Sequence, residues 1–159
     1  MFSLLLLLTT LNPIGITVRA GIGVPSGTVA SDVIGVNEFS PGIRLGDDRW
    51  IGAEMDFVSM PGIASGYSLQ FSGVSAVAGL ALGRFFASAR LGTGVFSRKF
   101  STGHERGMAL FTGLDAGLSV IESPNGSIAI AMNVSSFPSS GKSIVIYGIE
   151  TKITVLVWQ

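Results

Sequence analysis

The sequence predicts an all-β fold, an eight-stranded antiparallel up-and-down transmembrane β-barrel, and three observations carry that prediction. The mean hydropathy is +0.58, and 13% of residues are charged, where about 25% is usual for a globular protein. Glycine occurs 22 times, spread along the chain, which breaks the apolar residues into pieces too short for spanning helices. Eight segments alternate with period two, most of them near the roughly 9–11 residues that cross a bilayer as a tilted strand.

The opening "MFSLLLLLTTL" is of a different kind. Phe2 to Leu11 has the length of an export-signal core, lacks a basic start and a small-x-small cleavage site, and is too short for a spanning helix. Residues 1–14 therefore read as a weak or shortened signal-like apolar segment, and 15–159 as a single barrel domain.

The strands follow in order: Ile16 to Val24, Phe39 to Gly46, Trp50 to Val58, Tyr67 to Leu82, Phe85 to Ser97, Met108 to Ile121, Ser127 to Ser136 and Ile144 to Trp158. In the first, Ile16, Val18, Ala20, Ile22 and Val24 alternate with Thr17, Arg19, Gly21 and Gly23. In the third, Ile51, Ala53, Met55 and Phe57 alternate with Gly52, Glu54, Asp56 and Val58. The fourth changes phase near Gly73, from Leu69 and Phe71 to Val74 and Ala76, and a bulge is expected there. Tight turns at Asp47 to Arg49, Gly83 with Arg84, and Ser123 to Gly126 alternate with longer joins at Pro25 to Glu38, Ser59 to Gly66, Arg98 to Gly107 and Phe137 to Ser143. Short turns at one rim and longer loops at the other are the layout of an up-and-down barrel.

With the apolar phases facing lipid, the opposite phases collect Arg19, Arg44, Glu54, Asp56, Arg90, Asp115, Glu150 and Lys152. These form the expected lumen charge network, because an outward charge at the bilayer midplane costs about 2–4 kcal/mol. Arg90 and Asp115 lie at similar heights on adjacent strands, and Arg19 should meet Glu150 and Lys152 across the closing seam. Arg44 and Arg90 are the nearest expected partners of Glu54 and Asp56. Eight strands leave room for side chains alone, so a packed polar lumen is expected rather than an open pore. Trp50, Phe85 and Trp158 at the short-turn rim, and Phe57, Tyr67 and Tyr147 toward the other, are the expected interfacial aromatics, with Phe137 and Phe96 grouped near the latter.

Several function classes lack residues. There is no cysteine and one histidine, His104, so no thiolate or multi-histidine metal site is expected and no cofactor. Formal net charge is zero and no basic face is evident, which argues against nucleic acid. "STGHERG" places His104 beside Ser101, Thr102 and Glu105, yet a Ser-His-Glu catalytic arrangement needs groups converging from different strands.

"FSPGIRLG", "LGRFFASARLGTG" and the final strand resemble the small eight-stranded outer-membrane barrels of the OmpA/OmpX type from Gram-negative bacteria, over roughly Ile16 to Gln159. In that family the last residue is usually aromatic; here Trp158 is penultimate. The resemblance implies a monomeric outer-membrane protein, in contact with lipid and lipopolysaccharide, inserted by the barrel assembly machinery and acting non-enzymatically through its longer loops. A narrow small-solute channel, a lipid A-modifying enzyme and a soluble barrel binding an apolar ligand are the alternatives.

Overall fold

The computed structural model describes residues 13–27, 30–139 and 142–158; the signal-like run Phe2 to Leu11 lies outside them. Eight strands follow one another: β1 (Ile14–Gly27), β2 (Val36–Leu45), β3 (Arg49–Pro61), β4 (Ser68–Leu82), β5 (Phe85–Phe100), β6 (Gly103–Ser123), β7 (Gly126–Ser139) and β8 (Lys142–Trp158). Each pairs antiparallel with its chain neighbours, and β8 returns to pair with β1 from Ile14↔Trp158 to Gly27↔Ile144. Closure leaves no unpaired sheet edge.

The short-turn rim is built as the turn residues require. Gly83, between β4 and β5, has φ +61°, a left-handed conformation that a residue with a Cβ adopts at a cost. The other rim is more regular than the sequence suggests. Arg98 to Gly107, expected as a loop, is mostly paired strand: β5 and β6 run up to Phe100↔Gly103 and leave only Ser101 and Thr102 in the turn. Likewise β7 and β8 pair up to Ser139↔Lys142. Ladder hydrogen bonds need no apolar alternation, so a strand extends beyond its apolar face.

No bulge occurs at Gly73. Strand β4 pairs without a break on both sides, through Asp56↔Gly73 and Gly73↔Gly94. Its backbone keeps one phase while its lining changes: Leu69 and Phe71 point inward, and Val74, Ala76 and Leu80 point outward. The register shifts lie elsewhere, at Ile14/Gly15 between β1 and β8 and at Ser119/Ile121 between β6 and β7.

The outer wall is apolar. Ile22, Val74, Leu91, Leu114, Met132 and Ile149, from six different strands, are all more than half exposed. An apolar surface encircling the molecule exceeds by far the patches that water-soluble monomers tolerate. Inside, burial divides into two layers. Toward the short turns it is charged, and toward the longer connections it is apolar.

Candidate functional site

The charged layer arises because the inward phases of six strands carry ionisable residues. Arg19 on β1 is its hub. Its Nη2 lies 2.6 Å from Glu54 Oε2 and 3.4 Å from Asp56 Oδ1, and its Nη1 lies 2.9 Å from Glu150 Oε2 and 3.7 Å from Asp115 Oδ1. Arg90 on β5 donates to Asp115 Oδ1 at 2.8 Å and to Ser135 Oγ at 3.3 Å, and sits 3.5 Å from Asp56. Hydroxyls serve the two aspartates: Ser40 and Ser75 donate to the two oxygens of Asp56 at 2.9 and 2.6 Å, and Ser88 donates to Asp115 at 2.8 Å. A buried carboxylate needs such donors, since a charge left without them in a low-dielectric interior is strongly destabilising.

Room for these groups comes from glycine. A Cβ on Gly113 would meet Arg90 Nε at 2.9 Å and Cζ at 3.0 Å. A Cβ on Gly79 would run into the Trp50 ring.

One member of this layer escaped the sequence reading. Glu38, assigned to a loop, is buried in β2 and accepts a hydrogen bond at 2.8 Å from Asn133 Nδ2, which also lies 3.3 Å from Glu150 Oε2. Phase is the signal in the sequence: Glu38, Ser40, Gly42 and Arg44 alternate, and β2 simply starts three residues earlier than expected, at Val36.

Arg44 does not neutralise Glu54 or Asp56 as expected. Register places it opposite Gly52, whereas Glu54 faces Gly42, so Arg44 sits one step nearer the short-turn rim. There it donates to the carbonyls of Gly46 and Asp47 at 3.2 and 2.7 Å and lies 4.5 Å above the Trp50 ring. Trp50 itself, expected at the lipid interface, is 4% exposed and points inward, because it shares the phase of Gly52, Glu54 and Asp56. Lys152 is also buried near this rim, its ammonium 5.0 Å from the same ring.

The apolar layer corrects the expectation of a uniformly polar lumen. Val58 and Met60 of β3, Leu69 and Phe71 of β4, Phe111 of β6, Phe137 of β7 and Ile144 and Ile146 of β8 form one buried cluster. Three rings make its centre, with centroids 5.7 Å apart for Phe71 and Phe111, 4.8 Å for Phe71 and Phe137, and 4.9 Å for Phe111 and Phe137. Phe137 therefore belongs to the interior and not to a girdle. Tyr67 packs against the same cluster, and its hydroxyl accepts hydrogen bonds from Arg98 at 3.1 and 3.0 Å. The two layers meet where Arg90 lies 4.9 Å above the Phe111 ring. Phe57, Phe85, Tyr147 and Trp158 are exposed on the outside.

His104 lies on the exposed outer wall beyond this belt. Its Nε2 accepts from Arg106 Nε at 2.8 Å and sits 3.3 Å from Ser97 Oγ. Lys99 is paired directly with His104, so the β5–β6 hairpin gathers Lys99, His104 and Arg106 on one exposed region. Among the described residues no three His, Asp or Glu side chains converge as a metal site.

No protein-family model and no curated protein matches the chain. Solved structures match its fold. Neisserial surface protein A is 15% identical with TM-score 0.57, covering 88% of this chain and 96% of its own. Ail, the attachment invasion locus protein of Yersinia pestis, solved with the heparin analogue sucrose octasulfate, is 12% identical with TM-score 0.58, covering 89% and 96%. The N-terminal barrel domain of Pseudomonas aeruginosa OprF is 10% identical with TM-score 0.53, covering 88% and 96%. The chain has the closed eight-stranded fold of these small outer-membrane barrels.

Proposed function

We propose that this chain is a non-enzymatic outer-membrane β-barrel of a Gram-negative bacterium, closed to solutes, that acts through its long-connection rim. The observation that carries this reading is the inverted distribution of polarity, an apolar wall outside and buried ion pairs inside. In water such a wall would drive aggregation, whereas in hydrocarbon it is the favourable surface. A conducting path would have to separate the Arg19 and Arg90 ion pairs and then part three packed phenylalanines, which argues against the channel reading. Catalysis finds little support, since the hydrogen-bond neighbours of His104 are Ser97 and Arg106, with no carboxylate among them.

The surface role is assigned to the β5–β6 hairpin. Lys99 and Arg106 stand exposed beyond the apolar wall, on either side of His104, where lipopolysaccharide phosphates would meet them, and two cations there suit an anionic partner. The Ail structure carries a sulfated sugar, a polyanion of related chemistry bound by that protein. Insertion through the assembly machinery, with Trp158 near the end of β8, belongs to the same proposal.

The test is refolding into detergent micelles. We expect a gel band that shifts on boiling, a β circular-dichroism spectrum that appears only with detergent or lipid, and proteoliposomes that do not swell in arabinose. A folded, monomeric β protein in plain buffer would overturn the membrane reading, and swelling would overturn the closed lumen.

A further inference from the structure

The interior ends at the short-turn rim in an open cavity of about 320 Å³. Lys152 lines it, 5% exposed, with its ammonium 5.0 Å from the Trp50 ring centroid and 5.4 Å from that of Phe86. Among the described residues, no carboxylate lies within 4.0 Å of this ammonium and no side chain accepts a hydrogen bond from it; Glu54 and Asp115 act on it only from farther away, and it faces the cavity. Aromatic faces offset part of the loss of water around a cation, but they supply no acceptor for its three N–H groups.

The opposite charge lies at the mouth. Asp47 and Asp48, in the β2–β3 turn, and Glu122, near the end of β6, line the same cavity. The Asp47 and Glu122 side chains are 78% and 46% exposed and lie 3.9 Å from Arg44 and Arg84, long contacts that water screens, so both carboxylates keep acceptor capacity for a ligand. Arg44 on the wall already gives its Nε and Nη2 donors to turn carbonyls. The cavity thus runs from a buried cation between two rings to carboxylates facing outward.

We propose that this cavity binds a small zwitterion of the amino-acid class, its carboxylate on Lys152 and its ammonium among Asp47, Asp48 and Glu122. A dianion such as phosphate would be repelled at the mouth, and a simple amine would meet the Lys152 charge. The volume lies at the lower end of ligand pockets, about 300–1,000 Å³, which suits a single amino acid. The site is separate from the rim assigned a surface role above and stands or falls without it.

Trp50 reports on it directly. With Trp158→Phe, Trp50 is the one remaining tryptophan, and its emission is followed in micelles on titration with alanine, propionate, ethylamine and inorganic phosphate. Alanine should give a saturable change. Propionate and ethylamine should bind roughly tenfold more weakly or worse, the worth of one lost charged contact, and phosphate should give no change. Adding Lys152→Met should abolish the alanine response, while Lys99→Met should keep it. An absent alanine response, one that survives Lys152→Met, or phosphate binding as tight as alanine would overturn the site. If Lys152→Met fails the heat-shift check for folding, Asp47→Asn with Asp48→Asn decides: alanine should fall to the level of propionate, and unchanged alanine affinity would overturn the proposal.

Discussion

The two layers of the interior occupy the same barrel and are stabilised by different physics. In the charged layer Arg19 and Arg90 depend on named partners: Arg19 meets carboxylates from β3, β6 and β8, so its contacts also specify which strands lie within reach. In the apolar layer, Phe71, Phe111 and Phe137 depend on filled volume, and any residue of similar shape would serve in part. The lesson is that one layer should fail by leaving charges unpaired and the other by opening a cavity. Substitutions can separate the two.

The largest effect is expected from Arg19→Met, which leaves Glu54 and Glu150 without their ion pairs inside the barrel. Breaking a buried network in this way costs about 3–5 kcal/mol, and the hub position argues for the upper end. Urea unfolding in lipid vesicles, followed by tryptophan fluorescence, measures it. A sharper version replaces both members of a pair: Arg90→Met with Asp115→Leu should recover most of the loss seen with Arg90→Met alone, because no charge is then stranded. Equal losses in the single and double variants would show that the layer is held by shape and not by charge.

Phe111→Ala comes next, at roughly 3–4 kcal/mol for a buried aromatic truncated to a cavity. Phe111→Leu should cost much less in the same assay, a graded response that Arg19 should not show on conservative apolar replacement. Gly79→Ala should follow at about 1–3 kcal/mol, since the added methyl must displace the rigid Trp50 ring. Near-UV circular dichroism on the refolded variant would register that displacement, and an unchanged spectrum with unchanged stability would contradict it.

Much of this arrangement is legible in the sequence, and the boundary of what is legible has a physical cause. Strand number, order and phase follow from period two, because one face must be apolar wherever lipid touches it. The charged residues could be placed inside because lipid would not accept them. Leu69 and Phe71 could not, since an apolar residue is acceptable on either face and their period points equally well to lipid, and Phe137 falls just past the expected end of its strand, where no phase applies. That ambiguity produced the expected bulge at Gly73, where the strand is in fact continuous. Trp50 shows the same limit: its parity with Glu54 pointed inward, while its residue type suggested an interface. Partner choice around Arg44 needed the register, in which a shift of one residue pair separates a rim contact from a salt bridge.

The smallest expected effect is the most useful control on the whole comparison. Arg84 and Glu122 form an ion pair of 3.9 Å at the short-turn rim, with side chains 70% and 46% exposed. They have the same chemistry as Arg90 and Asp115 but are solvated. Water already stabilises both charges there, so forming the pair gains little and breaking it strands nothing, and Arg84→Ala should change unfolding by less than about 0.5 kcal/mol. Raising salt should leave the variant and the parent equally stable, because the exposed pair is screened in the parent and absent from the variant. If Arg84→Ala instead cost as much as Arg90→Met, burial could not be the reason the charged layer matters, and the contrast between the two layers would reduce to a count of ion pairs.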